Sequence, residues 1–334
     1  MITPTPGEPV VNGTRVRRIE APRAPVFGFL MTPAGIRAIG AVLAEERVDV
    51  AHCHVSIISP AALGGSAQAS RRGIPTVLTF HSVVPRTDLL ARAANVAFGV
   101  SQWNAKFSAV TDRVARDVRA IAGASTIHIL PNGIDVDFWR GRATTPRDDT
   151  IRLISVLRLN AKKRPMTLVP MMERLARLVA SELRIQLRIV GDGPQRAKLE
   201  RAIARSRLDD RIELVGRRTR DEIRSMLTES DLFVLPTVRE SFGLAALEAR
   251  CAGVPVVAMR ASGVAEWITH GREGLLASSD ADFANQVASL VTNRAQRAAI
   301  AQHNLTTEPS CGWPQVVEAH LALYREAIAL RASV

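Results

Sequence analysis

Apolar and polar positions along the chain repeat one rhythm, in which a short β-branched or apolar run is followed by a longer stretch with helical spacing. T-R-V-R-R-I (14–19) alternates like a strand, and 34–47 has helical spacing through Ile36, Ile39 and Leu43. V-D-V-A-H-C-H-V (48–55) is a buried strand, followed by a helix to Arg72. I-P-T-V-L-T-F (74–80) is another strand, then a helical segment, then the run N-V-A-F-G-V (95–100). Ser101 is placed to cap a further helix, and T-I-H-I-L (126–130) ends at the turn P-N-G (131–133). Strands separated by helical segments of this length predict parallel β-α-β units and a doubly wound α/β sheet.

The rhythm breaks at G-R-A-T-T-P-R-D-D-T (141–150), which is polar, has no apolar period and contains Pro146. It then restarts with I-R-L-I-S-V-L (151–157), a helix from Pro165, I-Q-L-R-I-V (185–190), G-D-G-P (191–194) and a helix. R-I-E-L-V-G (211–216), helix 220–229, D-L-F-V-L-P (231–236), helix 242–252, P-V-V-A-M (255–259) and helices over 280–303 follow. The expected organisation is a first domain over 1–140, a linker at 141–150 and a second domain over 151–312. A terminal helix (313–334) packs back toward the first domain. Ligands in such an architecture sit at the carboxyl ends of the strands and between domains.

Composition narrows the function classes. The 334 residues, 47% hydrophobic and 23% charged, are enough to bury real cores, which excludes disordered and fibrous classes. Aromatics are only 4% with a single Tyr (Tyr324), so base-stacking platforms for nucleic acid are lacking. Cys53, Cys251 and Cys311 are far apart and lack zinc spacing. No apolar run has membrane-span length and the start lacks a signal-peptide pattern, so the expected localisation is cytoplasmic. The net charge of +12 is uneven, with +10 of it on residues 142–224, yet only four of the 44 basic residues are Lys. That section is read either as a solvated arginine-rich surface or as a face toward an anionic partner.

Three loops at strand ends hold the chemistry. In R-E-S-F-G-L-A-A-L-E-A (239–249), Glu240 follows a strand and Ser241 is read as the cap of a helix starting at Phe242-Gly243-Leu244. The exposed amides of that helix start form a ready anion site. Glu248, seven residues past the cap, lies about 10 Å along the axis, a distance that separates a sugar from a ribose. In V-L-R-L-N-A-K-K-R-P (156–165), Arg158 and Lys163 bracket a strand-to-helix loop and are placed to grip a diphosphate. The bland alternative is a basic loop that caps nothing, with Lys162 and Arg164 as solvated neighbours. In I-V-G-D-G-P, Gly191 and Gly193 permit close backbone approach to a ligand. His52 and His54 share a face of one strand, but two histidines fall short of the three or four ligands a metal site needs.

These pieces in this order resemble the family 4 glycosyltransferases. R-L-N-A-K-K, G-D-G-P, E-L-V-G, D-L-F-V-L-P, E-S-F-G-L-A-A-L-E-A, A-G-V-P-V-V-A and H-G-R-E-G-L-L span 153–277, while T-F-H-S (79–82) and P-N-G-I-D-V-D-F-W (131–139) extend the match. The resemblance implies a GT-B fold, with two Rossmann-like domains, an inter-domain cleft and a C-terminal crossing helix. It implies a retaining hexosyltransferase that uses a UDP- or GDP-sugar, needs no bound metal or other cofactor, and displaces the diphosphate from the front face. Arg158 and Lys163 correspond to the diphosphate grip and Glu240 to the contact with the transferred sugar. Glu248 corresponds to the ribose contact and His81 to the acceptor-side histidine. Ser241, Phe242, Gly243 and Leu244 line the donor, while Gly191, Gly193, Val215 and Gly216 shape the nucleotide pocket. Asp135 and Asp137 fall in the crossing and are read as structural. The implied partners are a nucleotide sugar and a hydroxyl acceptor, such as a glycolipid, an inositol derivative or a polysaccharide precursor. A lipid acceptor would add peripheral contact with the inner face of an anionic membrane.

One departure from the family pattern stands out. The family opens with a strand and a paired-glycine loop, whereas this chain opens on a Pro-rich segment, and Gly64-Gly65 falls within a helical stretch. The expectation is a missing β-α-β unit and poor activity for the chain as written. The competing reading is a truncated nucleotide-sugar-binding protein without turnover.

Overall fold

The computed structural model describes residues 1–3, 7–11, 13–19, 33–56, 59–83, 103, 105–122, 126–141, 150–179 and 183–332. The run 95–100, the cap at Ser101 and 142–149 of the linker lie outside the described residues. The chain divides into two units, Met1–Pro131 with Val316–Val334, and Asn132–Gln315.

In the second unit, six apolar runs become strands: β9 (Thr150–Val156), β10 (Arg184–Val190), β11 (Ile212–Gly216), β12 (Leu232–Leu235), β13 (Val256–Met259) and β14 (Gly274–Ala277). All pair in parallel, in the order β11-β10-β9-β12-β13-β14. Numbered within the unit this is 3-2-1-4-5-6, a doubly wound order that reverses between β9 and β12. Every residue of β12, β13 and β14 is buried. That follows from covering both faces of a parallel sheet, and it explains why these runs are continuously apolar rather than alternating. The helices include α5 (Leu168–Leu178), α6 (Arg196–Arg205), α7 (Arg220–Thr228), α8 (Leu244–Cys251), α9 (Asp280–Thr292) and α10 (Arg294–Thr306). Thr219 and Glu222 form a capping box at α7. Leu168, Met172 and Leu175 of α5 and Phe283, Val287 and Leu290 of α9 join one buried cluster with the strands.

The first unit holds a parallel sheet of β5 (Ala51–Val55), β6 (Thr76–Phe80), β7 (Ala105–Ala109) and β8 (His128–Ile129), in that order. α1 (Pro33–Glu45), α2 (Pro60–Arg71) and α3 (Asp112–Ala122) accompany it. The last helix, α11 (Trp313–Ala332), buries Leu323 and Ala327 against Val77 and Leu130. No described helix is long and apolar enough to cross a membrane.

Two elements differ from the pattern reading. The run 14–19 is not one strand. β3 (Thr14–Arg15) turns back antiparallel on β2 (Val10–Val11), while β4 (Arg17–Arg18) pairs in parallel with β1 (Ile2–Thr3). The break falls at Val16, which is buried and whose N–H donates to Pro9 O at 2.7 Å. Alternation dictates which side chains turn inward, and it does not dictate the pairing partner. Residues 105–109, expected in a helix after Ser101, form the strand β7 between β6 and β8. Ala-Lys-Phe-Ser-Ala has weak β-propensity, and burial between two neighbours overrides it.

Candidate active site

The topological reversal puts two loops side by side at the carboxyl ends of β9 and β12. The first runs from Leu157 to Pro165. Asn160 opens a 3₁₀ turn (Ala161–Lys163), its Oδ1 accepting from Lys163 N–H at 3.0 Å. The second loop runs from Pro236 to Gly243, and Thr237 Oγ1 donates to the Lys163 carbonyl at 3.1 Å. Across this junction Lys163 Nζ donates to Glu240 Oε2 at 2.7 Å. The two side chains are 28% and 14% exposed, so this is a largely desolvated ion pair rather than a surface one. Arg158 stands exposed at the start of the first loop.

A third loop closes against the first. Gly191 has φ +134°, and a Cβ there would lie 2.0 Å from the Leu157 carbonyl oxygen. Only glycine fits both the backbone angle and the space. Leu157 N–H donates to Val190 O, Leu159 N–H to Asp192 O and Gln195 N–H to Leu159 O, at 3.0, 3.0 and 2.8 Å. Gly193 lies against Leu159 O in the same way. Gly191 N–H in turn donates to Gly216 O at 2.8 Å, and the Val215 side chain is buried, so this region offers main chain to a ligand.

The start of α8 corrects the sequence reading. Ser241 is not its cap. Gly243 is, with φ +87°, no side chain caps the helix, and Leu244 is the first helical residue. The Phe242 side chain is buried, and its carbonyl accepts from Trp267 Nε1 at 2.8 Å. A Cβ on Gly243 would lie 2.4 Å from Val264 Cγ2, which fixes glycine at this turn. Uncapped first-turn amides remain a suitable anion site. Moving the start from Phe242 to Leu244 shortens the axial distance from the cap to Glu248 to about 7.5 Å at 1.5 Å per residue.

Burial pushes the Glu248 carboxyl up to about 7, opposed by the charge of Arg220. Arg220 itself lies over the rings of Phe138 and Trp139, at 4.6 and 5.5 Å from their centroids. A carboxyl that accepts from both of two vicinal hydroxyls must be ionised, so a ligand that engages Glu248 in this way expels its proton. Binding at pH 7 of a ligand that engages Glu248 in this way is therefore expected to release up to about half a proton and to tighten from pH 6 to pH 8. Calorimetry of UDP and GDP in buffers of different ionisation enthalpy measures this. Binding with no proton release would exclude an ionised Glu248 as the contact.

His81 belongs to the first unit, directly after β6. Its main chain donates to Val55 O at 2.9 Å, and its Nε2 lies 2.8 Å from His54 Nδ1. His52 lies between Tyr324 Oη (2.7 Å) and Thr79 Oγ1 (2.6 Å), and Thr79 is bonded to Ser108 at 2.6 Å. These histidines form a polar seam across β5, β6 and β7. Among the described residues no group of three or more His, Cys, Asp or Glu is arranged to hold a metal ion. Asp135 caps the short helix α4 (Val136–Trp139), accepting from Phe138 N–H at 3.0 Å, and Asp137 pairs with Arg140.

The family model for glycosyl transferases group 1 matches residues 137–305. The chain belongs to that family. The model for glycosyltransferase family 4 matches residues 1–138 of this glycosyltransferase. It is 28% identical over 304 residues to a D-inositol 3-phosphate glycosyltransferase of Pseudarthrobacter chlorophenolicus, covering 84% of this chain and 71% of the relative. It is also 28% identical over 233 residues to a human phosphatidylinositol N-acetylglucosaminyltransferase subunit, covering 67% of this chain and 46% of the relative. Against that relative it therefore spans less than half the length. Among solved structures, a glycosyltransferase from Rickettsia africae superimposes with TM-score 0.75 at 16% identity, over 94% of this chain and 85% of that one. Anabaena HepE in complex with UDP and glucose gives TM-score 0.71 at 19% identity, over 96% and 87%. The fold of this glycosyltransferase is the GT-B class expected from its motifs.

Sequence reasoning about this glycosyltransferase misses two contributors. Arg164, given no role beyond that of a solvated neighbour in the bland alternative, is tied to Pro236 O and Asp280. Arg220 has no motif to mark it, and its place over Phe138 and Trp139 joins residues far apart in the chain.

Proposed function

We propose that this glycosyltransferase moves a hexosyl group from a UDP- or GDP-sugar to a hydroxyl of an inositol-type or polysaccharide acceptor, with retention of configuration and without a bound metal. The observation that carries this reading is the desolvated Lys163–Glu240 pair at the strand-order reversal, where a diphosphate and a sugar hydroxyl would each find a partner of opposite character. Lys163 and Arg158 hold the diphosphate and stabilise it as the bond from the anomeric carbon to its oxygen breaks. Glu240 accepts from the sugar's hydroxyls and fixes the ring. The acceptor oxygen bonds to the anomeric carbon on the face the diphosphate leaves, and the acceptor's proton passes to a departing phosphate oxygen. His81 serves as the acceptor-side histidine, and Glu248 takes the ribose. Catalysis by this route is mostly positioning and charge stabilisation. The names of the relatives support an inositol-type acceptor. Peripheral contact with an anionic membrane enters with a lipid acceptor.

The test incubates the full chain with UDP-glucose, UDP-N-acetylglucosamine or GDP-mannose and with inositol, inositol phosphate or phosphatidylinositol, with and without a chelator. Mass spectrometry detects the product and proton NMR coupling reads its anomeric configuration. The expected product keeps the donor's configuration at a rate the chelator leaves unchanged. An inverted product overturns the front-face route, and tight nucleotide binding with no product from any pair favours a binding protein without turnover.

A further inference from the structure

Within the first site loop, Leu159 and Pro165 are buried at either end, while no side chain from Asn160 to Arg164 is buried. Apolar packing therefore does not fix the segment that presents Lys163, and polar ties must. Asn160 and Thr237 hold the Lys163 main chain. The next residue, Arg164, has φ +57° and ψ +43°, a left-handed conformation uncommon for a residue with a side chain. Such a conformation persists where its surroundings over-determine it. Here they do. Arg164 Nη1 donates to Pro236 O at 3.1 Å, and Nη2 donates to both carboxylate oxygens of Asp280, at 2.7 and 2.5 Å. Pro236 begins the loop that delivers Glu240, and Asp280 is the first residue of α9.

We propose that Arg164 is a positioning residue, whose guanidinium clamps the loop of β9 to the end of β12 and the start of α9 and so fixes Lys163 relative to Glu240. This rests on the reading of Lys163 as the diphosphate contact. The left-handed backbone turns the Lys163 and Arg164 side chains to different neighbours, so one residue engages Glu240 while the next anchors the loop. The Arg164–Asp280 pair is 29% and 53% exposed, so as an ion pair it adds little to folding. Its effect is geometric.

Arg164→Gly separates backbone from side chain, because glycine adopts φ +57° without strain yet has no fork. In the full chain it is expected to lower kcat about 10–100-fold, the scale of a small misplacement of a catalytic group, and to weaken UDP or GDP binding. The thermal midpoint should stay close to that of the wild type. Asp280→Asn, which keeps the shape at the start of α9, should give the same effect in smaller measure and serves if Arg164→Gly does not fold. The deciding measurement is nucleotide affinity in a cycle with Lys163→Met. A residue acting through Lys163 costs nothing further once Lys163 is gone, whereas an independent structural effect adds. Additive losses, or wild-type kcat and affinity in Arg164→Gly, overturn the proposal. If Lys163→Met alone changes neither transfer nor nucleotide affinity, the site reading itself fails.

Discussion

Replacing Lys163 by methionine is expected to slow transfer by about 10²–10³-fold at saturating donor, the scale seen when one preorganised charge-stabilising donor is removed. The side chain keeps its stem and loses only the charge. The loss has two parts. A departing diphosphate gains negative charge as its bond breaks, and Lys163 Nζ is held where a developing charge is poorly screened. The substitution also strands Glu240, 14% exposed and otherwise 2.7 Å from the ammonium, without its cation. Glu240→Gln in the same background relieves that second part, so the double variant should lose less than the sum of the two single losses. Single-turnover measurements with radiolabelled donor separate chemistry from product release, and circular dichroism checks folding. A Lys163→Met rate within about threefold of wild type, far short of that scale, would exclude Lys163 from the chemistry.

Acidification is expected to destabilise the first unit at pH values above those at which carboxylates ordinarily protonate. His52 is held down to about 3 by burial and by the neighbouring His54, His320 and His81, and His54 to about 4 by burial and by His81 and His320. In the unfolded chain both take up protons near 6.5. Between about pH 6.5 and pH 4 the unfolded chain thus binds more protons, so stability present above 6.5 is lost as pH falls toward the folded values. For His52 the slope is at most about 1.4 kcal/mol per pH unit. Burial of His54 is partial, its residue surface remaining open to solvent, so its share is screened and smaller. Thermal midpoints of the full chain should fall by about 2–4 °C for each kcal/mol lost, and His52→Asn should flatten that fall. Midpoints unchanged from pH 7 to about pH 4.5 would contradict it. Glu248 runs the other way: with its folded value raised, its contribution is full below about 4.5 and is lost as pH rises through about 7. Between about pH 4.5 and pH 6.5 the contributions of His52 and Glu248 therefore change with opposite signs.

What is legible in the sequence is local. Strand, turn and helix follow one another within a dozen residues around Arg158, Gly191 and Glu240, so both the α/β class and the strand-end loops appear in the pattern. The helix start at Leu244 is misplaced by pattern because Ser241 has good cap chemistry, yet Gly243 has the left-handed angle and the tight contact with Val264 that decide the matter. β7 is hidden because Ala, Lys and Ser give no β signal, and its neighbours in the sheet make it a strand. Arg164 and Asp280 are 116 positions apart. No spacing rule reaches that far, and a basic run beside Lys163 reads as solvated until the carboxylate across from it is seen.

The zipping of residues 190–195 onto Leu157 and Leu159 has a practical consequence for redesign. Three main-chain hydrogen bonds and two glycines without room for a Cβ make the pair one mechanical piece. Residues that would meet the base and residues that would meet the diphosphate thus inherit each other's displacements. A loop grafted from a relative to change nucleotide preference must be transplanted with its partner, because either one alone arrives out of register with the other.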